Sequence, residues 1–143
     1  MAGNMFSTKG RYALRAMADL ATHDGWVSLG DVSKRQGISR KYLEQVIALM
    51  HKAGYVESQR GKGGGYRLSR EPDAYTVWEI LSYAEGDLSP VSCLGAEALP
   101  CSRAAECRTL PMWREYYELT KDYFSRITIA DLMKTEIPDN YVL

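Results

Sequence analysis

Apolar residues recur at helical spacing through the first third of the chain. After Ser7 or Thr8, either of which can cap a helix, Tyr12, Leu14, Met17, Leu20 and Ala21 follow at helical spacing until His23-Asp24-Gly25 ends the run. Ser28 can cap a short second helix to Gln36, Gly37 breaks it, and Ser39 caps a third helix reaching Ala53, with Gly54 beyond. Two short helices joined by a glycine-containing turn form a helix-turn-helix pattern. In the third helix Leu43, Val46, Ile47 and Met50 fall on the inner face, which leaves Arg40, Lys41, Glu44, Gln45 and Lys52 on or near the outer one.

The period then changes. Tyr55-Val56-Glu57-Ser58 and Tyr66-Arg67-Leu68-Ser69 read as two short strands around Gln59-Arg60-Gly61-Lys62-Gly63-Gly64-Gly65. That is a hairpin with a basic tip, and four glycines in five positions permit positive φ and close backbone approach. Thr76-Val77-Trp78-Glu79 has capping-box spacing and opens a fourth helix, with Val77, Ile80, Leu81 and Ala84 inward and Gly86 as its stop. From Asp87 to Leu110 no period survives, and a loop of that length in a small domain is usually functional or disordered. Beyond Pro111, Trp113, Tyr116, Tyr117, Thr120, Tyr123, Phe124 and Ile127 form an aromatic stripe on a last long helix. Its 16 residues to Arg126 span about 24 Å, more than the small body before it can cover, and a second subunit is the economical cover.

Size and composition narrow the classes. The chain has 143 residues and 16.1 kDa, room for one domain with an appended element, and its 45% hydrophobic and 25% charged content is that of an ordinary globular protein. No apolar window of about 18 residues exists, and no charged head followed by an apolar run opens the chain, so the expectation is a cytoplasmic protein without a membrane partner. Met5 reads as the natural start and residues 1–4 as a remnant outside the pattern.

Net charge is zero, 18 Lys and Arg against 18 Asp and Glu, which taken alone argues against a nucleic-acid partner. Its distribution reverses that inference. Through Arg70 there are 12 bases and five acids, leaving +7, and the remainder carries −7. The first half needs an anionic partner. A helix that fits the major groove beside a basic hairpin tip suits double-stranded DNA. Arg40 and Lys41 suit phosphates or guanine edges, Gln45 suits adenine, and Glu44 accepts only from cytosine. Glu44 either reads a base, rejects sites that lack a donor, or simply pairs with Lys41 or Lys52. The competing reading of the whole motif is a winged scaffold used for protein contacts.

Cys93, Cys101 and Cys107 are the only cysteines, and all lie in the aperiodic loop. An odd number of thiols in a chain of cytosolic character points away from a disulfide framework and toward metal, cluster or redox chemistry. Thiolates suit iron-sulfur clusters, copper or zinc, and the wide spacing differs from the close pairs of zinc ribbons. Arg103 and Arg108 can stabilise thiolates, whereas Glu97 and Glu106 oppose this. Three incidental thiols are the plain alternative.

These segments together resemble the winged-helix repressors that include the IscR, NsrR and CymR regulators. The resemblance runs from Met5 to Leu132 and rests on Ser7 to Met17, on Ile38-Ser39 with Tyr42-Leu43-Glu44-Gln45, on Arg60-Gly61 with Gly63-Gly64-Gly65-Tyr66, and on the late three-cysteine loop. It implies a mainly α fold: a winged helix-turn-helix DNA-binding domain (5–86) with a two-stranded β wing, a sensor loop (87–110), and a dimerisation helix with a short terminal helix (111–134). It also implies a homodimer on a palindromic site, and a sensory ligand at the loop that in IscR-type members is an iron-sulfur cluster, commonly 2Fe-2S.

The implied DNA-binding residues are Ser39, Arg40, Lys41, Tyr42, Glu44, Gln45, Arg60, Lys62, Gly63 and Gly64. Glu44 stands where IscR-type proteins have the acid that makes DNA choice depend on the cluster, and Arg60 matches the wing arginine expected in the minor groove. Cys93, Cys101 and Cys107 match the cluster cysteines, with a longer first gap. Leu110 occupies the family's histidine position and cannot bind iron, and Arg11 stands where nitric-oxide sensors place an acid. A fourth ligand must come from Glu97, Glu106, His23, His51 or an exogenous molecule.

The leading expectation is therefore a dimeric transcription repressor that senses iron-sulfur or redox status, with no enzymatic activity, since no nucleophile and base stand at a recognisable spacing. A cluster-free, CymR-like regulator of cysteine metabolism, controlled by thiol oxidation or a partner enzyme, is the second reading. A small redox protein is the third.

Overall fold

Hydroxyl side chains fix the helix starts in the computed structural model, which describes residues 6–95 and 103–134. Ser7 caps α1 (Thr8–Thr22), Ser28 caps α2 (Leu29–Gln36) and Ser39 caps α3 (Arg40–Lys52), each accepting a first-turn backbone N–H. The two short helices α2 and α3 are separated by Gly37, in the left-handed region at φ 64°. The chain then forms β1 (Val56–Gln59) and β2 (Gly65–Leu68), paired antiparallel with Val56 opposite Leu68 and Gln59 opposite Gly65. This is the mainly helical fold with a two-stranded wing that the sequence led us to expect. The expected start at Met5 lies outside the described residues.

The wing has a third partner that the periodicity did not reveal. Val27 and Tyr66 exchange both backbone hydrogen bonds, at 2.9 and 2.8 Å, so the segment before α2 lies alongside β2. Gly65, at φ 147°, makes this possible, because a Cβ there would run into the Val27 carbonyl. Arg67 then lies over the Trp26 ring, 4.2 Å from its centroid, and its Nε donates to Glu57 at 3.0 Å. The wing is thus anchored to the start of the helix-turn-helix.

Thr76 caps α4 (Val77–Glu85), accepting from the Glu79 N–H at 3.0 Å, and Gly86 ends it. The reciprocal half of the expected capping box does not form: the Glu79 carboxylate accepts from Arg70 at 2.8 Å instead. A charged partner outcompetes the backbone N–H for that oxygen. The long helix α5 (Leu110–Ser125) follows the cysteine loop, and Ile127 to Ile129 then return to the body. Val77 N–H donates to the Ile127 carbonyl (2.8 Å) and Ile129 N–H to that of Tyr75 (3.1 Å). Ile129, at the start of α6 (Ile129–Met133), is fully buried with Ala13, Met17, Leu43, Ile47 and Ile80. One core therefore takes residues from both sides of the long helix.

Candidate nucleic-acid interface and cysteine loop

The outer face of α3 is set by what its inner face buries. Leu43, Val46, Ile47 and Met50 are buried, so Arg40, Lys41, Glu44 and Gln45 project from the opposite side and are exposed. Ser39 is occupied as the cap, its hydroxyl accepting from Tyr42 N–H at 3.2 Å. Glu44 lies 3.6 Å from Arg40, one turn back, and not against Lys41 or Lys52 as one sequence alternative had it. Both groups are more than half exposed, so solvent screens the pair and leaves it open to exchange for other partners. Tyr42 turns the other way: its hydroxyl shares a 2.7 Å hydrogen bond with Thr8, and its ring meets Tyr12 edge-on. It ties the reading helix to the amino end of α1.

Beneath the turn lies a charged lock that sequence reasoning missed. Asp19 of α1 is 5% exposed, and it accepts from Arg35 Nε at 3.0 Å and Nη2 at 2.7 Å and from Gln36 Nε2 at 2.9 Å. Burial pushes its carboxyl up, but the hydrogen bonds of Arg35 and Gln36 and the charges of Arg35 and His23 outweigh this and hold it below the ordinary carboxylate range. Arg15 also donates to Gln36, through Nε to its side chain and Nη2 to its carbonyl. The end of α2 is thereby fixed to α1, which sets the angle at which α3 is presented. The only available signal was an acid inside an apolar run, and a single acid there reads equally well as a surface residue.

At the wing, Arg60, Lys62 and Gly63 are exposed and Gly64 is half-buried in the turn closed by Gly64 N–H and the Gly61 carbonyl at 3.1 Å. Among the described residues neither Arg60 nor Lys62 makes an ion pair, so the tip holds two uncompensated positive charges beyond the end of the hairpin. The structure thus places two exposed basic elements, the outer face of α3 and the wing tip, on one helical body.

The cysteine loop is described at its two ends. Cys93 is exposed on a 3-10 turn over Ser92–Leu94, and Cys107 is half-buried three residues before α5; both are free thiols. Cys101 and Glu97 lie outside the described residues. The Cys107 thiol is lowered from its ordinary value, first by the Thr109 hydroxyl 3.5 Å away and then by the backbone N–H groups of Thr109 and Leu110. Neither Arg103 nor Arg108, the expected stabilisers, causes this shift. His23 is engaged with the Asp19 carbonyl (2.8 Å), and His51 lies 3.4 Å from the Ser58 hydroxyl. Both histidines are thus held in the helical body. Among the described residues no three His, Cys, Asp or Glu side chains converge as a metal site.

Soft thiol donors in a loop, one of them biased toward thiolate, fit a thiophilic metal or an iron-sulfur cluster at three positions. Leu110 opens α5 where the resemblance expects a fourth donor, and of the alternatives His23 and His51 are engaged in the body, Glu106 is exposed beside Cys107, and Glu97 lies outside the described residues.

The α5 helix has no buried residue. Trp113, Tyr117, Thr120 and Phe124 are half-buried toward the body, where Tyr117 meets Trp78 (centroids 5.9 Å) and Phe124 meets Phe6 (5.8 Å). Met112, Tyr116, Leu119 and Tyr123 are exposed by 53, 38, 62 and 55%. These four follow a 4-3-4 spacing, the seam of a helix that packs on another helix. The aromatic stripe read from the sequence is thus split between two faces, and Met112 and Leu119 are added to the outer one.

A basic reading helix, a wing anchored beside it and a helical core define a winged helix-turn-helix DNA-binding transcription regulator, not an enzyme. The chain belongs to the Rrf2 family, described as iron-dependent transcriptional regulators, whose model matches residues 6–135. It is 39% identical over 132 residues to the HTH-type transcriptional regulator IscR of Erwinia tasmaniensis, covering 91% of this chain and 79% of that protein. It is 40% identical over 129 residues to IscR of Aliivibrio salmonicida, covering 89% and 76%. Among solved structures it resembles CymR, the global cysteine regulator of B. subtilis, with a TM-score of 0.74 and 35% identity over 95% of this chain and all of that one. It also resembles T. potens IscR, with a TM-score of 0.71 and 38% identity over 92% and 88%. Membership of this family removes the small redox protein as a reading. No helix among the described residues is long and apolar enough to cross a membrane.

Proposed function

We propose that this regulator is a cytoplasmic homodimer that binds a palindromic operator and represses transcription according to iron-sulfur status sensed at Cys93, Cys101 and Cys107. The observation that carries this reading is the position of the Cys107 thiol: it lies three residues before α5, the helix whose Met112, Tyr116, Leu119 and Tyr123 face outward. Two copies joined along that seam would carry two α3 helices and two wings, the number that a two-fold symmetric site requires. Ser39 orients the start of α3, Arg40, Lys41, Glu44 and Gln45 meet base edges and phosphates, Tyr42 fixes the helix against α1, and Arg60 and Lys62 reach the backbone or minor groove, with Gly63 and Gly64 allowing close approach. The names of the IscR relatives and the family description support the iron-sulfur part.

The three cysteines would hold the cluster, with 2Fe-2S the type favoured, and its bonds to thiolate would supply a labile crosslink between the two ends of the loop. Thr109 and the first N–H groups of α5 hold Cys107 toward thiolate, and the loop joins α4 to α5, so ordering it restrains the helix that sets dimer geometry. Iron and sulfide analysis of anaerobically isolated protein tests this reading, with a triple Cys→Ala variant as the control. About stoichiometric iron and sulfide, lost in the variant, is expected; colourless, iron-free protein overturns it.

A second reading is favoured by one observation. With Leu110 as the first residue of α5 and both histidines engaged in the body, only a loop carboxylate such as Glu106 or an exogenous molecule is left for the fourth position, which suits a cluster-free regulator whose thiols respond to oxidation or whose dimer obeys a partner protein. The resemblance to CymR is consistent with it. The same iron analysis separates the two.

A further inference from the structure

Tyr75 is wholly buried, yet it is polar and lies in neither the reading helix nor the wing. A phenol has one proton to donate and two lone pairs. Here all three are used: the hydroxyl donates to the Tyr55 carbonyl at 2.7 Å and accepts from Ser69 N–H at 3.1 Å and Arg70 N–H at 3.0 Å. Tyr55 and Ser69 are the residues immediately outside the last β1–β2 pair, and they are themselves joined by a 3.1 Å backbone hydrogen bond. The hydroxyl is therefore a pin through the root of the wing. Arg70 lies over the same ring, 4.3 Å from its centroid, and reaches Glu79 of α4.

The backbone of Tyr75 faces the other way. Its carbonyl accepts from Ile129 N–H, Thr76 bridges to Thr128, and Val77 N–H donates to the Ile127 carbonyl. These are the residues through which the chain leaves α5. One residue thus touches both the base of the wing and the end of the long helix.

We infer that Tyr75 is the positioning residue that seats the wing and links its pose to the end of α5. The inference rests on the DNA-binding reading above. With the hydroxyl removed, Arg70 N–H loses its partner and the Tyr55–Ser69 bond alone closes the open end of the ladder, while the ring still fills its site and the Val27–Tyr66 bridge still holds the middle of β2. The hairpin then pivots about that bridge and samples other poses, and only the seated fraction brings Arg60 to the DNA. If that fraction falls to a tenth, apparent affinity falls about tenfold.

The test uses the full chain and a duplex selected from random sequence by the wild-type protein. Tyr75→Phe should bind it about tenfold more weakly. In an Arg60→Ala/Lys62→Ala background the same change should cost less than about twofold, because a wing stripped of both its charges gains little from being seated. A loss that multiplies with that of the double variant, or a Tyr75→Phe variant within about twofold of wild type, overturns the inference. A random pool that shows no enrichment with the wild-type protein overturns the DNA-binding reading itself. Amide exchange on the unmodified protein gives a second check that no variant can spoil. Ser69, Arg70 and Ile129 should open together, and exchange at Ser69 and Arg70 more than about tenfold faster than at Ile129, after correction for intrinsic rates, overturns the link.

Discussion

The reading helix and the long helix differ little in length, 13 and 16 residues, and each carries an apolar face. Yet α3 buries Leu43, Val46, Ile47 and Met50, and α5 buries nothing. The face of α3 is closed by α1, the wing root and α4 of its own chain, whereas that of α5 meets the body through Trp78 and Phe6 and leaves Leu119 and Tyr123 more than half exposed. The helical body buries its own apolar faces, whereas α5 keeps an apolar row open to solvent. On the proposed reading, that row is where a second copy packs, and a sensor loop between the two regions would change assembly without unfolding the element that reads DNA.

Truncating each face should separate the two. Ile47 is fully buried, so Ile47→Ala opens a cavity in the core and should lower global stability by about 2–5 kcal/mol, read as a drop in the urea midpoint at unchanged slope. Leu119→Ala should change the same midpoint by less than about 0.5 kcal/mol at protein concentrations low enough to favour the monomer. If the two losses are alike, α5 belongs to the folding unit and the comparison fails.

The seam should respond to charge next. Leu119→Asp places a carboxylate at the middle of the Met112–Tyr123 row and should weaken self-association about 100-fold, close to 3 kcal/mol. Sedimentation velocity should show monomer where the wild type is dimer, with circular dichroism unchanged. A wild type that sediments as monomer at every concentration, or a variant that remains dimeric, removes α5 as the interface.

How far the sequence carried depends on the range of each signal. Helix starts were legible because Ser7, Ser28, Ser39 and Thr76 cap through a neighbouring N–H, a local interaction with a local pattern. The inner face of α3 was legible for the same reason. What escaped was long-range: Trp26 and Val27 beside β2, Ile129 returning to the core, and Tyr75 under the wing each join segments that no periodicity relates. The aromatic stripe of α5 merges two faces in the sequence, because its five aromatic residues outweigh Met112 and Leu119 in any pattern read by residue type. The three cysteines stood out by type and place, but a donor set is a property of folded geometry, and Leu110 removed the one donor whose position could be foreseen.

Asp19 gives a smaller effect with a sign. Its folded carboxyl lies below the ordinary value, so it stabilises the folded state fully above about pH 4, and that contribution is lost as pH falls through the ordinary value toward the lowered one. Asp19→Asn should cost about 1–2 kcal/mol at pH 7, at the lower end because Arg35 remains partly exposed to solvent. The difference between wild type and variant, measured by urea unfolding, should narrow at pH 3. A gap that is constant with pH means that Asp19 acts by shape and not by charge.

The smallest effect on folding belongs to Glu44, and it tests whether the outer face of α3 is free for DNA. Glu44 is more than half exposed and touches only Arg40, so Glu44→Ala should leave stability within about 0.5 kcal/mol of wild type. Its effect should appear on DNA. Without the carboxylate, Arg40 is released toward phosphate, so affinity for unrelated duplexes should rise and the slope of log affinity against log salt should steepen by about 0.9, one added phosphate contact. A fluorescence titration across salt concentrations reads both values. If affinity for selected and unrelated duplexes changes equally, Glu44 contributes only general repulsion; a larger gain on unrelated DNA identifies it as a residue that rejects wrong sites, because the cost of an unpaired acid in the groove is highest where no base donor meets it.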